Sequence, residues 1–167
     1  MTNSNAGRTS PARPVLTGAL VTFGLTALHH IYGGVVYRTP WRHHGAAAAV
    51  ALGVAAYALY ARYRRGHRWA GWTLAALALA GPVIALGAFE GAYNHVAKNA
   101  LFLAGAPRAV LLRLFPPPTY ELPNDLFFEI TGVAQVIPAA ATALGVRRFV
   151  RRLRQHRSPA GVTLRNA

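Results

Sequence analysis

No cysteine occurs anywhere in the 167 residues. Disulfides, thiolate metal sites and cysteine nucleophiles are thereby excluded. Acid is nearly as scarce: four Asp and Glu stand against 18 Lys and Arg, a formal net charge of +14, and charged residues make up only 13% of the chain. A soluble domain carries about a quarter charged residues of mixed sign, and 53% hydrophobic residues do not fit that class either. The same hydrophobic content excludes disorder over most of the chain, and collagen and coiled-coil repeats are missing.

What is present is a set of long charge-free runs. Pro14 to Tyr37 gives 24 residues without formal charge, His43 to Ala61 gives 19, and Trp69 to Phe89 gives 21. Ile130 to Val146 gives 17, and reaches crossing length only by starting near Leu126 and taking Glu129 into the span. A helix needs about 20 apolar residues to cross the hydrocarbon core. Lipid offers the backbone no hydrogen-bond partners, so spanning segments are helices or closed barrels. Continuous Ala- and Leu-rich runs without alternation predict helices. The expectation is an all-α integral membrane protein, a four-transmembrane-helix bundle with approximate spans 14–37, 44–62, 69–95 and 125–146.

The transmembrane domain, 14–146, is flanked by a polar tail, 1–13, and a basic tail, 147–167. The apolar run after residue 13 is too long for a signal-peptide core, so the first helix is expected to be retained. An outer loop, 99–123, is held extended near its end by Pro116, Pro117, Pro118 and Pro123, with Asn124 as the expected cap of the fourth helix. Within it, Pro107 to Phe115 predicts a short interfacial helix with Leu111, Leu112, Leu114 and Phe115 toward lipid. Gly87 and Gly91 form a GxxxG pair suited to close helix packing, and Pro82 and Pro138 predict kinks. Trp41, Trp69 and Trp72, with Tyr37, Tyr60, Tyr63 and Tyr120, fall where an aromatic belt belongs.

Arginine sets the orientation. Thirteen basic residues precede the first helix, join the second to the third, or follow the fourth, against five on the opposite side. The positive-inside rule then makes both termini cytoplasmic, and the basic C-terminal tail a partner of the anionic inner leaflet. These arginines lie where topology demands them, so no nucleic-acid partner is expected. The Arg- and Ala-rich composition points to a bacterial plasma membrane.

Ionisable side chains inside a span are costly and mark functional candidates. His29 and His30 interrupt the first helix, Glu90, Asn94 and His95 end the third, and Glu129 opens the fourth. No acid occurs before Glu90; it, Glu121, Asp125 and Glu129 are the full set. In the expected topology they gather in the outer half, with His43 and His44 entering the same mouth. On a regular α-helix Glu90 aligns with Asn94 and Lys98, whereas His95, five residues on, lies about 140° away.

Acid/base chemistry on a small lipophilic molecule, isomerase- or hydrolase-like, is the leading functional reading, with Glu90, Glu129 and His30 as catalytic groups and His29, Tyr93, Asn94 and His95 binding substrate. The principal alternative is a metal or haem centre drawn from His29, His30, Glu90, His95 and Glu129. No local zinc or di-iron motif supports it, and the sequence names no cofactor. Proton-linked transport, for which a monomer would be small but which a homo-oligomer could still carry out, and a purely structural network complete the set.

Overall fold

The computed structural model describes residues 10–117 and 121–155. The outer parts of both tails, with Pro118 and Tyr120, lie outside the described residues. The described residues are predominantly helical, with no strand among them. Four helices are long and apolar enough to cross a membrane: α1 (Arg13–Val36), α2 (Arg42–Arg64), α3 (Arg68–Leu103) and, after the short α4 (Arg108–Leu114), α5 (Leu126–Gln155). They form an all-α bundle. The third helix runs eight residues past His95, and the fourth does take Glu129 into its first turn.

Two prolines determine the irregularities. Pro82 offers no N–H, and its ring clashes with the carbonyl four residues earlier, which belongs to Ala78. The α-helical turns of α3 end at Ala78, and from Leu79 to Ala97 the backbone is π-helical, bonded i→i+5, before α-helix resumes at Lys98. Pro138 acts on Ala134 in the same way: α5 is broken there into Leu126–Ala134 and Val136–Gln155, with Gln135 at the break. Asp125, rather than Asn124, caps α5, its Oδ1 accepting from the Phe128 N–H at 2.8 Å. Asn124 instead accepts from the Tyr37 hydroxyl at 2.6 Å.

The bundle divides into two unlike halves. Toward the end where α1 begins and α5 finishes, Val15, Leu16, Ala19, Phe23, Leu74, Ala78, Val146, Phe149 and Leu153 make an apolar core. Toward the other end the interior is polar, with Thr26, His29, Asn94, His95, Lys98, Glu129, Thr131 and Gln135 all buried. The outward surface carries Val35, Val54, Ile84, Ile130, Ile137 and Leu144. That inversion suits a lipid solvent, where an exposed isoleucine costs nothing and a lone polar group must turn inward.

Glycines bring α3 and α5 together. A Cβ at Gly87 would collide with Ala139, and one at Gly91 would meet Val136 Cγ2 at 2.9 Å. The GxxxG pair therefore packs on α5. In α4, Leu111 and Phe115 are buried against the protein and Leu114 is exposed, so the lipid-facing set is narrower than the composition suggested.

Candidate metal centre

His29, His30, Glu90 and His95 come from two helices and meet. His29 Nε2 lies 3.6 Å from Glu90 Oε1, and His30 Nδ1 lies 3.5 Å from the same oxygen. His29, Glu90 and His95 each bring one ligand atom to within 4.8 Å of the others. This cluster of two imidazoles and a carboxylate sits against a cavity of about 280 Å³.

The π-helical stretch is what unites Glu90 and His95. In an α-helix they would diverge by about 140°. Hydrogen bonds from i to i+5 widen each turn, so that residues five apart stack on one side. The expected separation of the two side chains is thereby corrected: both line the cavity, with Asn94 beside them.

Hydrogen bonds fix the imidazole tautomers. Thr131 Oγ1 lies 2.9 Å from the Phe127 carbonyl and 3.0 Å from that of Phe128, so its proton is committed to the backbone. His29 Nδ1, 3.0 Å from the same hydroxyl, must donate to it, which leaves Nε2 with a lone pair directed at Glu90. His95 Nδ1 lies 2.8 Å from Glu129 Oε2. Glu129 also accepts from Lys98 Nζ at 2.8 Å, and that ammonium donates to the Glu121 carbonyl at 2.7 Å. A carboxylate so paired is ionised and accepts, so His95 Nδ1 is protonated and Nε2 is its basic nitrogen. Carboxylate and hydroxyl partners on the far nitrogen are what orient metal-binding histidines and raise their basicity.

Packing holds the rings in place. Phe128 stacks on His29 with centroids 4.0 Å apart and planes at 23°. Gly132 gives the His95 ring its seat, since a Cβ there would fall on the imidazole carbons, and Gly45 does the same for His30. Beneath the cluster, Thr26 Oγ1 donates to Gln135 Oε1 at 2.6 Å, while His30 Nδ1 donates to the Thr26 carbonyl at 3.1 Å.

The expected site residues separate into three groups. Glu90, His29, His30, Asn94 and His95 line one cavity. Glu129 stands behind His95 and faces a second cavity, of about 340 Å³, shared with Asn99, Asn124 and Asp125. Tyr93 lies apart: its hydroxyl donates to the Leu114 carbonyl and its ring packs on Phe89 and Phe115, tying α4 to α3. His43 and His44 are exposed and line neither cavity.

Arg42 and Lys98, two of the five basic residues on the side opposite the thirteen, also line the cavity. Arg42 is only 5% exposed, with its guanidinium carbon over the rings of Trp41 and Phe128 at 5.0 and 5.1 Å. Its donors reach Thr39 Oγ1 at 2.8 Å and Glu121 at 3.9 Å. The one signal for Lys98 was its place in the Glu90–Asn94 row.

No family model matches the chain, and no curated protein or solved structure is significantly similar to it.

Proposed function

We propose that the chain is a membrane metalloprotein. Its His29, Glu90 and His95 hold a divalent transition-metal ion in the outer half of the bundle, beside a cavity where a small lipophilic molecule is bound or transformed. The observation that carries this reading is the pair of imidazoles whose Nδ1 atoms are committed to Thr131 and Glu129, each with a ligand atom within 4.8 Å of the other and of Glu90. Metal–ligand arms of about 2.1 Å at a tetrahedral angle put donor atoms about 3.4 Å apart, close to the 3.6 Å between His29 Nε2 and Glu90. Three protein ligands leave a fourth position for water or substrate, the pattern of catalytic rather than structural sites. Two imidazoles and one carboxylate suit zinc or iron better than magnesium or calcium.

Elemental analysis and an absorption spectrum of the detergent-purified full chain test this directly. One equivalent of zinc or iron is expected, lost in His29→Ala, Glu90→Gln and His95→Ala. A metal-free protein that also fails to take up added zinc or ferrous iron overturns it. The contact of His30 with Glu90 favours a second reading, metal-free acid/base chemistry at that carboxylate, which such a result would leave standing.

The bacterial plasma membrane and cytoplasmic termini belong to the same proposal, supported by the arginine distribution.

A further inference from the structure

The gap between α2 and α3 bears on what the cavity takes. Helix α2 packs along α1 and against the Arg68–Ala78 part of α3, but the two helices part company over Leu79–Ala97. The opening is bordered by Ala85, Leu86 and Phe89 on α3 and by Trp41 and Arg42 at the start of α2. Ala85, Phe89 and Trp41 are exposed there. Ala85 lies halfway along α3, so the mouth faces acyl chains over much of its height rather than water. Burial and polarity rise together along the lining, from exposed Ala85 and Phe89 through Leu86 and Glu90 to buried Asn94, His95 and Lys98.

Two features at the back specify a head group. Arg42 faces Glu121 at 3.9 Å and Lys98 pairs with Glu129 at 2.8 Å, while Glu90 lines the same cavity. A divalent ion added to that set leaves one positive charge in excess. Asn94, 6% exposed, has its amide oxygen buried without a partner. Its NH₂ is the side of the amide that can donate to an anionic oxygen.

We propose that the ligand of this site is an amphiphile with an anionic oxygen head group, a long-chain carboxylate or alkyl phosphate, which enters sideways from the bilayer between α2 and the π-helical part of α3. The head meets Arg42, Asn94 and the ion, and the chain lies along Leu86, Ala85 and Phe89. This rests on the metal reading above, which supplies the excess charge.

The test uses the full-length protein in phosphatidylcholine nanodiscs, zinc-loaded or stripped with chelator, and displacement of a dansyl-labelled fatty acid. Oleate and dodecyl phosphate are expected to displace the probe at least about tenfold more effectively than oleyl alcohol or oleylamine, the size of one hydrogen-bonded charge. Acetate and inorganic phosphate are expected to displace little. Arg42→Gln should erase most of the head-group preference, and Ala85→Trp, at the lipid-facing rim, should block the probe, each with metal content retained. Equal displacement by the alcohol or amine overturns the inference, as does free acetate or phosphate matching its long-chain counterpart, or parental binding in both variants. If the parent takes up no metal, the metal reading falls. If metal binds but no head-group preference appears, this inference alone falls.

Discussion

Among the described residues Lys98 is the most deeply buried charged side chain, 1% exposed. Its ammonium is held between Glu129 and the Glu121 carbonyl. Removing one member of a buried pair strands the other, so Lys98→Met should destabilise the protein by about 3–5 kcal/mol. Lys98→Met combined with Glu129→Leu should cost much less than the two single changes summed, because no charge is then left alone. Denaturant unfolding in detergent reads both. Glu129→Gln keeps the shape but weakens the acceptor behind His95. Metal affinity should fall by about 10–100-fold, the usual effect of losing such a partner, as isothermal titration with zinc would show. Gly132→Ala should lower it as well, because the new methyl group occupies the seat of the His95 ring. Affinity in all these proteins should decline as the pH falls, since the ligands bind metal only in their deprotonated forms.

The decisive element is the π-helical stretch of α3, which can be tested by exchanging two neighbours. In the observed register residue 95 joins Glu90 in the cluster, whereas an α-helix would bring residue 94 into line with it. The double substitution Asn94→His/His95→Asn keeps composition, length and hydropathy. It should abolish stoichiometric zinc in the observed register, while an α-helical register would preserve or improve binding. This element also marks how far the sequence was legible. Runs free of charge located the four crossing helices, because desolvation cost is local and additive along a chain. His29, His30, Glu90, Asn94 and His95 stood out for the same reason. Their mutual geometry did not, since the regular 3.6-residue period fails where Pro82 displaces it. Nor could spacing show that Arg42 folds inward, because its burial depends on Trp41, Phe128 and Glu121, which only the bundle brings near it.

At the scale of the whole molecule, the two halves of the bundle face different sides of the membrane, and the arginine distribution predicts which side each takes. Four crossings return the chain to its starting side, so the start of α1, the end of α5 and the α2–α3 turn, all at the apolar half, share one face. Arg62, Arg64, Arg65 and Arg68 cluster at that turn, and retention of positive loops would keep it in the cytoplasm. The polar half, with the His29, Glu90 and His95 cluster and α4, would then open outward. Because the native chain has no cysteine, single substitutions report position without background. Ala104→Cys, in the exposed turn after α3, should react with a membrane-impermeant maleimide in intact cells. His67→Cys, in the exposed α2–α3 turn, should react only after permeabilisation. The reverse pattern would place the site on the cytoplasmic side, where the lateral opening would draw on inner-leaflet lipid. Labelling of both positions from outside would contradict a single four-span topology. Replacing Arg62, Arg64 and Arg65 with Gln adds a causal arm: if these charges anchor the turn, the fraction of His67→Cys labelled from outside should rise, and zinc bound per correctly inserted chain should stay unchanged.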